Sequence, residues 1–424
     1  QCLTSWFQHV PPYKILVDYY TALLSHMRFK KKIMRFTEGD SMNSFMFQNT
    51  TAIYFGEGQI AKIAESIPQN SKILLLYGGG SIKHNGVYEQ AKEALVDHDW
   101  DEFGGIEPNP QYDTLMQAVE KIKKENFNFV LAVGGGSVID GAKFVVAAAK
   151  YDGNDAWDIL KKGIPVTDAM PLGCVLTLPA TGSETNIGAV ISKGNDKLVF
   201  TSPLVRPLFA VLDPKTTLSL SSRQISNGVI DAFIHVMEQY ITYPVNAKVQ
   251  DRFAEGLLLT LMEEGPKALE NPKDMDARAN IMFAATLALN GLIGSGVPQD
   301  WTTHMIGHEL TGNFGIDHAR TLSIILPAVL KKQRKQKEEK LLQYSERVLG
   351  ITSASNDELI DQAIDRTVAF FKSMQAPTSL RDVDLKEKDI DTIIKSLEKH
   401  SRLKLGEHSD IDLSRSREIL LLAL

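Results

Sequence analysis

Phe129–Lys143 reads FVLAVGGGSVIDGAK: five apolar residues, three glycines and then, from Gly141, the start of a periodic pattern. A short run that is apolar on both faces is the signature of a strand buried from two sides, which is how parallel sheets covered by helices are built. The glycines make a tight turn directly off the strand, and the periodic segment that follows reads as a helix. The same order recurs outward from this point. Ile73–Tyr77 (ILLLY) runs straight into Gly78, Gly79 and Gly80, and Ala52–Phe55, Cys174–Leu178 and Phe209–Leu212 are further apolar runs of strand length. Helical patterns at Tyr112–Glu125 and Gly141–Lys150 lie between them. Strands alternating with helices predict an α/β unit with a parallel sheet over residues 42–222.

Beyond Ser221 the texture changes. Ser221 or Ser222 is placed to cap a helix reaching about Thr242, and helical patterns follow at Ala247–Glu263, Ala277–Asn290, Gln299–Thr311, Glu338–Val348, Asp357–Met374, Glu387–Lys399 and Ser414–Ala423. Residues 223–424 are therefore expected to form an all-helical domain. No fixed-period repeat argues for a solenoid. The charge run Lys331–Lys340 (KKQRKQKEEK) is expected to be a solvated helix face rather than a binding patch. Residues 1–41 start at Gln1, and their basic cluster follows an apolar stretch, the reverse of a secretory signal. They are set aside as an extraneous or disordered extension.

With 424 residues, 46 basic and 52 acidic, the net charge is −6, and 43% of residues are hydrophobic. That is too apolar for a disordered chain and too acidic for a protein that holds nucleic acid by bulk positive charge. Cys2 and Cys174 cannot make a disulfide framework or a four-cysteine zinc site, and no apolar run approaches the ~20 residues of a membrane span. The expectation is a cytoplasmic protein with small-molecule partners, and neither nucleic acid nor membrane.

Two glycine-rich turns after buried strands, Gly78-Gly79-Gly80-Ser81 and Gly134-Gly135-Gly136-Ser137, suit a phosphate-bearing ligand. Such turns bring backbone amides close to the ligand, and ligands of open sheets gather at the carboxyl ends of the strands. Neither turn is GxGxxG or GxxxxGK[ST]. The first has no acidic side chain to bind ribose hydroxyls, and Lys83 is near, which favours NADP over NAD. A third stretch, Thr177–Glu184, is rich in hydroxyls and either lines a cofactor or caps a helix.

The helical half holds a second constellation. Asp231 and His235 are at i and i+4, His304 and His308 repeat the spacing, and His318 follows ten residues later. Carboxylate and imidazole donors suit Zn²⁺ or Fe²⁺, although no HExxH is present. Each residue alone is equally compatible with a hydrogen-bonded core position. A dinucleotide turn and a metal cluster in one chain point to hydride transfer at a carbonyl polarised by a metal ion.

YGGGSIK (77–83), FGGIEPNP (103–110), AVGGGSVIDGAKF (132–144), LTLPATGSETN (176–186), NGVIDAFIHVMEQY (227–240), WTTHMIGHEL (301–310) and GIDHA (315–319) together resemble the iron-containing, or group III, alcohol dehydrogenases. The likeness is greatest to the branch of NADPH-dependent aldehyde reductases and butanol dehydrogenases. The resemblance implies a Rossmann-like N-terminal domain, an all-helical C-terminal domain, the overall architecture of dehydroquinate synthase, and a homodimer. It implies Asp231, His235, His304 and His318 as ligands of Zn²⁺ or Fe²⁺. His308 is then a catalytic residue beside the substrate, with Asp140 as a second. Cofactor contacts are implied at Gly79, Gly80, Ser81, Asn109, Gly135, Gly136, Ser137, Asp140, Thr177 and Thr181. The activity implied is NADP(H)-dependent reduction of an aldehyde, reversibly oxidation of an alcohol. The alternative on the same fold is an NAD- and metal-dependent lyase like dehydroquinate synthase.

Overall fold

A computed structural model describes residues 41–352 and 355–424; the extension before residue 41 lies outside them. Six strands form one parallel sheet: β1 (Ala52–Phe55), β2 (Lys72–Tyr77), β3 (Asp99–Phe103), β4 (Phe129–Gly135), β5 (Leu172–Leu178) and β8 (Phe209–Leu212), in the order β1-β8-β5-β4-β2-β3. A separate antiparallel hairpin is made by β6 (Gly188–Lys193) and β7 (Asp196–Thr201). The central strands are apolar throughout because alternate residues enter two different cores. Leu74, Leu76, Val130, Ala132, Cys174 and Leu176 face one side, under helices α2 (Tyr112–Glu125) and α3 (Gly136–Ala148). Ile73, Leu75, Phe129, Leu131, Val133 and Val175 face the other, under α1 (Val87–Ala94). Each fully buried aliphatic side chain contributes about 1.5–3 kcal/mol relative to exposure, so a polar residue on either face would be costly.

The strand order reverses between β2 and β4. These strands pair in parallel, Tyr77 opposite Val133, so the two glycine-rich turns emerge side by side at the carboxyl edge. That is the switch point at which open α/β sheets bind ligands. The sheet also contains β3, DWDEF, which the apolar pattern did not reveal; it is an edge strand in which Asp99 and Asp101 are exposed and no residue is fully buried.

Besides two single-turn helices in the sheet half (Ile63–Ser66 and Asp158–Lys161), the helices that follow are α4 (Ser222–Tyr240), α5 (Lys248–Glu270), α6 (Met275–Ala288), α7 (Thr302–Phe314), α8 (His318–Lys332), α9 (Glu338–Arg347), α10 (Asn356–Ser373), α11 (Ile390–Lys399) and α12 (Leu413–Leu422). Ser221 caps α4 with a full capping box to Gln224, as its position predicts. α7 starts at Thr302, three residues later than expected, after Trp301 in a left-handed conformation with φ +62°. α8 was not expected at all: Pro327 lies inside it, and it is buried almost all round, so it lacks the polar face that gives an amphipathic period. The charge run is not wholly solvated. Lys337 is buried against Asp300 (2.9 Å) and Glu407 (2.6 Å), and Lys340 is buried against Asp251. Burial of these ammonium groups is tolerable because each meets a carboxylate.

Lys143, on α3, is fully buried beneath the loop that follows β5. It donates to Asn186 Oδ1 (2.7 Å) and to the Gly188 carbonyl (2.8 Å), fixing the start of the hairpin. Burial pushes its pKa down to about 8 against the favourable charges of Asp140, Glu184 and Cys174, with Arg206 acting in the same direction as burial. Between pH 8 and 10.5 the unfolded chain therefore binds a proton that the native one does not, and stability from this group rises with pH across that window. Denaturant unfolding should show Lys143→Met losing a rise of about 3 kcal/mol between pH 8 and 10.5. Equal pH slopes for parent and variant would contradict this.

Candidate active site

Helix α4 carries Asp231 and His235 on one face, α7 carries His304 and His308, and α8 begins at His318. The fold brings all five together. Asp231 Oδ1 is the common point: His318 Nε2 lies 3.7 Å from it, His304 Nε2 3.8 Å and His235 Nε2 3.9 Å. One donor atom each from Asp231, His304 and His318 fall within 4.8 Å of one another. His235 joins through Asp231 and through its ring, stacked on His304 at 4.6 Å between centroids. The His308 ring is 5.0 Å from that of His318 and 6.4 Å from that of His304.

These separations are too long for hydrogen bonds. Ligands about 2.0–2.1 Å from a tetrahedral cation are roughly 3.4 Å apart, close to what is seen. Asp231 Oδ1 and His304 Nε2 are buried and have no hydrogen-bond partner among the described residues. Orphaned buried polar atoms are rare in folded proteins, and here they converge. The donor set, three imidazoles and one carboxylate, fits a divalent first-row ion.

The surroundings set the charges. Burial opposes ionisation of Asp231, but His235, His304 and His318 outweigh it and hold the carboxyl well below its usual range. Burial lowers His235 to about 4, a neutral imidazole at physiological pH. Burial also opposes a proton on His304, yet Glu238 and Asp231 together raise it to about 9. His308 is pushed well below its ordinary value by burial and by the cations of Lys197 and Arg402.

The residues expected to meet the cofactor lie beyond the carboxyl ends of β2, β3, β4 and β5 or at those ends. Gly79 and Gly80 face open space, where even an added Cβ would touch nothing within 4 Å; Gly80, at φ +93°, also needs glycine for its backbone. Ser81 starts the short turn that follows. The second glycine turn is packed more tightly. A Cβ on Gly135 would come within 3.0 Å of Leu178, and one on Gly136 within 2.4 Å of Thr181. Asn109 N donates to Ser137 Oγ at 3.3 Å, Thr181 Oγ1 accepts from Ser183 N at 3.2 Å, and Thr177 lies at the end of β5. Both Asp140 oxygens are engaged, one by Ser183 Oγ (2.5 Å) and one by Val190 N (2.9 Å), so this carboxylate ties α3 to the loop and the hairpin.

The two constellations adjoin. Helix α4 packs so closely on the loop after β5 that a Cβ on Gly228 would fall 2.3 Å from the Pro179 carbonyl. From the hairpin, buried Lys197 donates to Asn109 Oδ1 at 2.8 Å; burial lowers its pKa to about 8 against the attraction of Asp231 and Asp140.

Three residues of this region escaped sequence reasoning. Lys197 has no motif around it. Glu238 had a signal: it is seven residues after Asp231 and so on the same helix face. Its carboxylate contacts His304 Nδ1 and accepts from Thr303 N at 2.6 Å. Glu102, on the edge strand, pairs with Lys83 at 2.6 Å and accepts from Tyr88 OH at 2.5 Å and Tyr77 OH at 3.1 Å. The cation expected near the first turn is thus present, with a countercharge beside it.

A parallel sheet with open glycine turns at its switch point, set against helices with converging metal donors, defines a dinucleotide- and metal-dependent class of protein. A family model for iron-containing alcohol dehydrogenase matches residues 50–214, and one for the Fe-containing alcohol dehydrogenase family, C-terminal, matches residues 225–408. The NADPH-dependent aldehyde reductase YqhD of Escherichia coli K12 is 56% identical over 382 residues, spanning 89% of this chain and 99% of that protein. The crystal structure of Escherichia coli K-12 YqhD superposes with a TM-score of 0.90 at 54% identity, covering 91% of this chain and all (100%) of that one. NADH-dependent butanol dehydrogenase A from Thermotoga maritima gives 0.86 at 36% identity, with 91% and 100% covered. The chain belongs to the iron-containing alcohol dehydrogenase family.

Proposed function

We propose that this chain is an NADP(H)- and metal-dependent alcohol dehydrogenase that acts as an aldehyde reductase. The observation that carries the reading is the convergence of three imidazole nitrogens on the partnerless oxygen of Asp231. Asp231, His235, His304 and His318 are the residues that would hold Fe²⁺ or Zn²⁺, and the donor set suits both. Such an ion supplies Lewis acidity toward the aldehyde C=O, and the reduced dinucleotide supplies the hydride.

The chain's own residues do the rest. Gly79, Gly80 and Ser81 leave room for a phosphorylated ribose, and Lys83 offers it a cation within the Glu102 network. Gly135, Gly136, Ser137, Thr177 and Thr181 line the adjoining strand ends, with Asn109 braced by Lys197. His308 is neutral, and its Nδ1 has no partner among the described residues, so it is available to the substrate oxygen. Asp140 acts by position, holding Ser183 and the hairpin. The dehydroquinate synthase-like lyase is not favoured, because the relatives at 36–56% identity are named as aldehyde reductase and alcohol or butanol dehydrogenases. The division into 42–222 and 223–424 follows the change from sheet to helices.

We also propose a cytoplasmic homodimer. NADPH is an intracellular reductant, and the thiol of buried Cys174 is free. Among the described residues no helix is long and apolar enough to cross a membrane. The edge strand β1 exposes Ile53 and Phe55, flanked by Phe45, Met46 and Phe47, of which Met46 is 71% exposed. An unpaired apolar edge invites pairing, and a second copy of the chain is the partner proposed.

Purified protein should oxidise NADPH with butanal. Thorough chelation should abolish turnover, Fe²⁺ or Zn²⁺ should restore it, and Asp231→Ala should lower kcat/KM by about 100-fold or more, the equivalent of losing roughly 3 kcal/mol of Lewis-acid stabilisation. Undiminished turnover in metal-stripped protein would refute the reading. Light scattering should give twice the mass of one chain, falling to that of a monomer in Phe55→Lys; a monomeric parent would refute the dimer.

A further inference from the structure

We infer that Glu238 is a positioning residue of the metal centre, which sets the tautomer of His304 and locks α7 onto α4. The inference rests on the metal reading above and extends it to a residue that is not itself a ligand.

Asp231, His235 and Glu238 fall at i, i+4 and i+7 of α4, so all three project from one face. Glu238 is 2% exposed. A carboxylate so deeply buried must find compensation, and it has two partners, both on the first turn of α7. Oε1 accepts from Thr303 N at 2.6 Å, one of the free amides at the positive end of that helix. Oε2 is in hydrogen-bond contact with His304 Nδ1. The Glu238 main-chain carbonyl also accepts from Asp300 N at 2.9 Å. Asp300 in turn holds Thr302 N at 3.1 Å and buried Lys337 at 2.9 Å.

The chemical consequence concerns one proton. A carboxylate has only acceptors, so the contact at Nδ1 requires that nitrogen to donate. In the neutral ring Nε2 then carries the lone pair, and Nε2 is the atom that lies 3.8 Å from Asp231 Oδ1. Glu238 therefore selects the ring form able to ligate. Outer carboxylates of this kind typically change metal affinity by about 10–100-fold. A rival reading makes Glu238 only a cap for α7. The two separate in Glu238→Gln. A glutamine has the same shape, and its carbonyl can still accept from Thr303 N. Its amide nitrogen then faces Nδ1 and donates, which forces the proton of His304 onto Nε2 and blocks ligation.

The test uses the full chain, stripped of metal and titrated with Co²⁺ against a competing chelator, with the visible d–d spectrum recorded. Glu238→Gln should weaken Co²⁺ binding by about 10–100-fold and alter the spectrum, with the apo protein melting within a few degrees of the parent. Glu238→Asp, which keeps the charge, should recover part of the affinity. Equal affinity and spectrum in parent and Glu238→Gln would overturn the inference and leave the metal reading intact. A parent that binds no Co²⁺ would sink both. If Glu238→Gln does not fold, ¹⁵N-histidine NMR of the apo parent, recorded at a pH high enough for the His304 ring to be neutral, decides: the inference requires the Nδ1–H tautomer, and finding Nε2–H overturns it.

Discussion

One buried oxygen organises this molecule. Asp231 Oδ1 sits inside the helical half with no hydrogen-bond partner among the described residues, and imidazole nitrogens from three directions stop 3.7–3.9 Å short of it. Left to itself, such an arrangement would be expensive, since a carboxylate and several imidazoles lose hydration and gain little direct bonding. A divalent ion among them would remove the difficulty by serving as the partner of each. α4, α7 and α8 meet at their histidines: Phe233 of α4 and Leu322 of α8 share one apolar cluster with Leu258, and Ile306 and Leu310 of α7 pack with Ile324 and Ile325 of α8.

The sheet solves a different problem, which is to present backbone and small side chains to a phosphorylated ligand. Strand order reverses between β2 and β4, and the two glycine turns leave the sheet there side by side. Their glycines serve different ends. Those at 79 and 80 leave space, whereas those at 135 and 136 let neighbouring segments approach. The loop after β5 then joins the two problems, because its Thr181 abuts the second glycine turn at Gly136 and its Pro179 supports α4 at Gly228. Lys143 and Asp140 hold that loop and the hairpin from below, which is why charged groups are buried in an otherwise apolar layer. The likeness to other iron-containing alcohol dehydrogenases spans both parts.

How much of this could be read beforehand depended on where each signal resides. Strands buried on both faces announce themselves as apolar runs, so the central ones were legible; the edge strand β1 (AIYF) was legible too, because it is apolar although largely exposed, and Tyr112–Glu125 was placed to the residue. DWDEF, the other edge strand, was not, because three of its five residues are acidic. The helix from His318 to Lys332 was hidden for the opposite reason: it is so buried that it has no polar face, and Pro327 interrupts the pattern. Spacing alone drew attention to Asp231 with His235 and to His304 with His308, but could not choose between His308 and His318, since that choice depends on how a turn folds back. Lys197 and Glu238 act on residues far away in sequence, Asn109 and His304, and only the folded chain shows the contact. The charge run near residue 337 misled because exposure of lysine is a rule about averages, and two of its lysines found buried carboxylates.

The most direct test of this account is a crystal structure of the protein grown with Fe²⁺ or Zn²⁺, with anomalous diffraction collected on both sides of the metal's absorption edge. The account predicts one strong peak, about 2.0–2.2 Å from Asp231 Oδ1 and the Nε2 atoms of His235, His304 and His318. No peak among these side chains, or a metal held elsewhere while they turn to other partners, would contradict it.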